Sequence, residues 1–115
     1  MSRSTRSATS AWRRKHAPIF AALGDPTRLE IVAKLGDGAR RSIADITDGT
    51  GLTRQAVTKH LRVLEEARIV REHRAGRERL FELDPEPILE LREFVDAMSA
   101  RWDRALVRLK EMVEG

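Results

Sequence analysis

Arg54, Gln55, Thr58 and Lys59 sit within "GLTRQAVTKHL", residues 51–61, and are the side chains best equipped here to read another molecule. Each ends in a hydrogen-bonding group, and between them Leu52, Val57 and Leu61 recur at spacings of five and four. A helix with one apolar stripe and a reaching polar face fits the DNA major groove, where Arg and Lys donate to guanine O6 and N7 and Gln pairs bidentately with adenine. Arg54, Gln55, Thr58 and Lys59 are therefore expected to meet base edges, with His60 and Arg62 at or near phosphate. Thr53 would cap the helix and also meet a phosphate, because helix N-termini favour anions. Ser42, at the start of the preceding helix, joins this DNA-contacting set. The plainer alternative is an amphipathic surface helix. Against it stand a glycine turn before the segment and a hairpin after it.

Other chemistries lack their residues. The chain contains no cysteine, and His16, His60 and His73 share no metal-ligand spacing. This leaves out disulfides, thiolate metal sites and thiol redox sensing, and no metal or cofactor is expected. No Ser/His/Asp, Cys/His or paired-carboxylate arrangement stands out, so the chain reads as a non-enzyme.

Around the polar helix, the chain divides into a few elements. "MSRSTRSATS" has almost nothing to bury, and residues 1–16 are expected to be a disordered basic tail. Residues 17–115 form the domain. A short first helix is placed after Pro18 and ends at Gly24. Asp25 and Pro26 open a second helix with Leu29, Ile31, Val32 and Leu35 on its apolar face and Gly36 at its stop. Ser42 caps a short third helix, with Asp45 three residues on and Ile43 and Ile46 facing inward. Gly49 and Gly51 break it, and Thr53 starts the polar helix over 53–66, the outline of a helix-turn-helix. Over 69–83 the period changes to alternation around a turn at Gly76, giving a hairpin. Arg74, Arg77 and Arg79 flank its tip, where they either grip phosphates or a minor groove, or keep the hairpin edge from pairing with other sheets.

The last helix, over 86–113, carries Ile88, Leu91, Val95, Met98, Trp102, Ala105, Leu109 and Met112 at alternating spacings of three and four. Such a heptad seam, about 40 Å long, exceeds what a core of this size covers, and a second copy of the same helix is its natural partner. The predicted fold class is thus mainly α with a small β-hairpin, a winged helix-turn-helix with a long C-terminal dimerisation helix. A homodimer would bring two polar helices to half-sites about one DNA turn apart, on a near-palindrome of double-stranded DNA.

Charge agrees with this layout. The net charge is +4, but residues 53–79 hold eight basic and four acidic side chains, whereas residues 80–115 hold five basic and nine acidic. A polyanion would face the first segment and not the second. No apolar run approaches the roughly 20 residues of a membrane span, and no secretory segment stands at the N-terminus, so a soluble cytoplasmic protein is expected.

The stretches "IFAALGDPTRLEIVAKL", "SIADI" and "TGLTRQAVTKHLRVLEEARIVREHRAGRERLFEL", followed by a long helix, resemble the ArsR-type winged helix-turn-helix regulators of bacteria over about residues 17–113. The resemblance implies a homodimeric transcriptional regulator, usually a repressor, with the first and last helices at the dimer interface, which adds Phe20 to the heptad set. It also implies a recognition helix at 53–66 and a wing at 71–83. Where the family's metal sensors carry cysteines this chain reads "RSIADIT", and its last helix has no histidine, so it resembles the non-metal branch; the effector is unassigned. A winged-helix module that docks on a protein through the heptad helix is the alternative function.

Overall fold

The computed structural model describes residues 2–115, with side chains from Ser10 onward. The chain forms two units, Met1–Pro85 and Glu86–Gly115. In the first lie α1 (Ser2–Leu23), α2 (Pro26–Lys34), β1 (Arg41–Ser42), α3 (Ile43–Thr47), α4 (Arg54–Glu66), β2 (Val70–Ala75) and β3 (Glu78–Leu83), while α5 (Pro85–Glu114) supplies the second. This is a mainly helical winged helix-turn-helix with a small antiparallel sheet and a long C-terminal helix.

Local chemistry explains most boundaries. Asp25 caps α2 by accepting from the Arg28 N–H at 3.0 Å, with Pro26 in the first turn, where its missing N–H costs nothing. Ser42 caps α3 by accepting from the Asp45 N–H at 3.1 Å. Gly76 has φ 65°, and with Ala75 paired to Glu78 the hairpin closes in the two-residue pattern that places glycine first. The helix α4 ends in a Schellman motif, in which the Arg68 N–H donates to Glu65 O and the Ile69 N–H to Leu64 O, both at 2.9 Å.

The sheet has the order β1-β3-β2. Its third strand, β1, was not expected from the sequence: two residues are too few to show alternation, and Arg41 and Ser42 become a strand only by pairing with Phe81 and Leu80. The core of this unit gathers Ile19 and Ala22 of α1, Ile31 and Leu35 around α2, Ile46 of α3, Val57, Leu61 and Leu64 of α4, and Ile69, Val70 and Phe81 of the hairpin.

Four expectations are corrected. The first helix does not begin after Pro18 but contains it, and residues 10–16 are helical, not a disordered tail. Trp12 and His16 stack with ring centroids 4.2 Å apart, and buried His16 donates from Nδ1 to the Trp12 carbonyl at 2.8 Å. Beyond Pro18 the helix goes on to bury Ile19 and Ala22. The rest of the tail expectation, residues 1–9, lies outside the residues whose side chains are described. Leu29, placed on the apolar face of α2, is 50% exposed, and Leu52, placed in the stripe of α4, is 37% exposed. Leu29 is two residues from buried Ile31, on the far side of the helix, and Leu52 lies in the turn before α4 begins.

In α5, Pro87 and Leu91 are buried, while Val95, Met98, Trp102, Leu109 and Met112 of the heptad seam are exposed, Trp102 by 63%. Among the described residues no helix is long and apolar enough to cross a membrane.

Candidate nucleic-acid interface

The polar face of α4 is set by what its other face buries. Val57, Leu61 and Leu64 are at most 1% exposed, which fixes the helix rotation and leaves Arg54, Gln55, Lys59 and Arg62 outward. Thr53 caps the helix by accepting from the Ala56 N–H at 3.1 Å. The entry angle comes from the turn before it. Gly51 has φ 72°, a conformation that costs a side-chain-bearing residue strain, and Thr50 bridges the turn by donating to Thr47 O at 2.6 Å and accepting from the Leu52 N–H at 3.1 Å. Lys34 of α2 donates to the carbonyls of Ile46 and Asp48 at 3.0 and 2.8 Å, placing a cation on the C-terminal end of α3.

Arg54, Gln55, Thr58, Lys59 and Arg62 line one shallow concavity of about 570 Å³, together with Ile43 of α3. The structure therefore brings together the four expected base readers and one expected phosphate contact. Ile43 was expected to face inward with Ile46. Ile46 is fully buried, whereas Ile43 is half-buried and turned to this concavity. At the first position of a five-residue helix, spacing alone cannot separate the two directions.

His60 is corrected. Its side chain is turned toward the start of α2, with Nδ1 3.4 Å from Arg28 Nη1 and 3.8 Å from Asp25 Oδ2. Arg28 in turn donates from Nε to the Ala22 carbonyl at 2.5 Å, so His60 belongs to a joint between α1, α2 and α4. It does not line the concavity. The carboxyl of Asp25 is held below its ordinary value, first by the Arg28 backbone N–H, then by the charges of Arg28 and His60.

The hairpin arginines divide. Arg74 and Arg77 are exposed at the tip. Arg79 is committed to its own hairpin: its Nε and Nη2 donate to the two oxygens of Glu72 at 2.5 and 3.1 Å, a bidentate fork across the strands, and its guanidinium lies 5.7 Å from the Phe81 ring centroid. The fork lowers the Glu72 carboxyl below its usual value, with further lowering from Arg74 and Arg62. On the same sheet, His73 Nε2 lies 2.5 Å from Glu82 Oε1, and Arg40 and Arg71 approach the same carboxylate at 3.4 Å. The Glu82 carboxyl is lowered first by the His73 hydrogen bond. Ser42, whose oxygen caps α3, retains its hydroxyl proton for another acceptor.

Residues 23–73, which hold α2 to α4 and the start of the hairpin, match a family pattern described as a helix-turn-helix domain. The chain is 34% identical over 95 residues to HTH-type transcriptional regulator Rv2034 of Mycobacterium tuberculosis, spanning 83% of this chain and 85% of that protein. It is 31% identical over 58 residues to the transcriptional repressor SdpR of Bacillus subtilis, spanning 50% of this chain and 63% of that protein. Among solved structures, an ArsR-like transcriptional regulator from Rhodococcus sp. RHA1 superposes with a TM-score of 0.74 at 30% identity, covering 89% of this chain and 95% of that one.

Proposed function

The chain belongs to the ArsR-type family of winged helix-turn-helix transcriptional regulators, which bind DNA and are not enzymes, and from that premise we propose that it is a homodimeric, sequence-specific repressor of a near-palindromic operator, acting in the cytoplasm without a metal effector. The observation that carries the reading is the concavity on α4, where Arg54, Gln55, Thr58, Lys59 and Arg62 converge. Its helix enters a major groove with Arg54, Gln55, Thr58 and Lys59 at base edges. Arg62, Thr53 and Ser42 meet phosphates, and the exposed tip residues Arg74 and Arg77 hold the backbone beside it.

The exposed heptad seam of α5 supports dimerisation, since an apolar stripe of this length is stable in water only when covered. Similarity to a protein named a transcriptional repressor supports the sign of regulation. The metal-free reading rests on residue types: the chain lacks cysteine, and no histidine occurs on α5.

The test is binding of the purified full chain to DNA from upstream of its own coding region and to a scrambled duplex of equal length, across a salt series. A preference of about a thousandfold or more, with affinity falling steeply as salt rises, is the expected result. In the same assay Gln55→Ala costs about 1 to 3 kcal/mol on the preferred site, whereas Arg77→Ala weakens both duplexes alike. Equal, weak binding to both duplexes overturns the proposal.

A further inference from the structure

We infer that Ile43 and Thr58 together form an apolar seat for the 5-methyl group of a thymine, making α3 as well as α4 a determinant of sequence preference; the inference rests on the DNA-reading surface proposed above. Ile43 is the aliphatic member of a lining that otherwise consists of Arg54, Gln55, Thr58, Lys59 and Arg62. It stands at the first position of α3, directly after the capping residue Ser42, and is half-buried, not sealed into the core as Ile46 is.

Thr58 adds to it through a hydrogen bond that points inward. Its hydroxyl donates to the Arg54 carbonyl at 2.7 Å, so its proton is committed to its own helix. What Thr58 has left for a base is a methyl group and an oxygen that can only accept. A residue type that suggests hydroxyl chemistry is thus converted locally into an apolar contact.

In the major groove the thymine C5-methyl is the apolar group a base pair displays, and Ala, threonine methyl or a larger apolar side chain is its natural partner. Gln55, in the same lining, is suited to adenine N6 and N7. An A·T pair satisfies both, with adenine donating and accepting at Gln55 and its thymine partner placing a methyl on Ile43 and Thr58. Cations alone around this concavity would favour guanine. The aliphatic seat shifts the preference toward thymine at one position in each half-site.

The experiment separates the methyl from everything else. A duplex is first selected by the full chain from a randomised pool, and deoxyuridine then replaces thymidine at each position in turn, removing one methyl and no hydrogen-bonding group. Replacement at the seated position is expected to weaken binding about fourfold in one half-site and about fifteenfold in both, the amount a single buried carbon contributes. Thr58→Ser, which keeps the hydroxyl and is safe for the fold, and Ile43→Ala, checked for helicity, should each shrink that loss. Affinity unchanged by deoxyuridine at every position overturns the inference while leaving the DNA-reading proposal standing. So does a loss that persists undiminished in both variants, because the methyl is then read elsewhere. A pool from which no sequence is enriched overturns the sequence-reading proposal and this inference with it.

Discussion

Glu72 and Glu82 show how single carboxylates hold the hairpin in shape. Each is ionised more readily in the folded chain than its ordinary value of 4.5, Glu72 because of Arg79 and Glu82 because of His73. The unfolded chain therefore takes up protons first on acidification. The stabilisation is complete above that value and is lost as pH falls through the lower folded values. For the partly exposed fork between Arg79 and Glu72 it amounts to no more than about 1 kcal/mol after solvent screening. Denaturant midpoints measured over about pH 5 to 3 should fall for the native chain and fall less for a Glu72→Gln, Glu82→Gln double variant, whose neutral side chains no longer titrate. Identical slopes for the two chains would mean that these carboxylates do not carry the acid sensitivity. The same fork explains why an arginine at a hairpin tip need not be a phosphate ligand: Arg79 already has its two oxygens.

Helix α4 is positioned at both ends, and the two ends are built differently. Its start is ordinary, with Thr53 as cap. Its end is not, because Arg68 occupies the left-handed position, φ 63°, where glycine is usual. The two backbone bonds of the motif and the buried pair Leu64 and Ile69 hold it there. A left-handed non-glycine residue costs roughly 1 kcal/mol, part of which glycine returns through its freer unfolded state. Arg68→Gly is expected to raise stability by about 0.5 kcal/mol, read as a higher urea midpoint at unchanged slope. A clearly lower midpoint would show instead that the arginine side chain stabilises this corner. Either way the corner sets the direction in which β2, and with it the exposed tip, leaves the end of α4.

At the scale of the whole molecule, charge and apolar surface are segregated along the chain. Basic side chains outnumber acidic ones eight to four over residues 53–79, and acidic ones outnumber basic ones nine to five over residues 80–115, where the α5 seam residues Val95, Met98, Trp102, Leu109 and Met112 remain exposed. A helix of 30 residues is about 45 Å long, and a seam on it that is open to water calls for a second copy. Trp102→Glu places a charge in the middle of that seam. Sedimentation should show a dimer for the native chain and a monomer for the variant at the same concentration. DNA affinity should fall with it, because two half-sites are then no longer read together. A variant that sediments as the native chain does would remove the seam from the dimer interface.

Much of this protein was legible in the sequence because its rules are local. Caps at Asp25, Ser42 and Thr53, glycines at the turns, and apolar spacings of three and four depend on residues within one or two turns of each other, and they located α2, α3, α4, the hairpin and α5. The polar face of α4 followed from the same periodicity, which is why Arg54, Gln55, Thr58, Lys59 and Arg62 were found before they were seen on one surface. Tertiary structure decided what periodicity cannot carry. The strand β1 exists only through Phe81 and Leu80, and α1 runs through Pro18 with His16 and Ile19 buried on either side of it. His60 and Arg79 were both read as DNA ligands and both turned to partners of their own, Asp25 and Arg28 in one case and Glu72 in the other. Ile43 turned toward the concavity on α4 and is only half-buried. The contacts that decided β1 and His60 join residues 32 or more apart in sequence, which periodicity does not register, and a charged side chain goes where the folded chain offers it a partner.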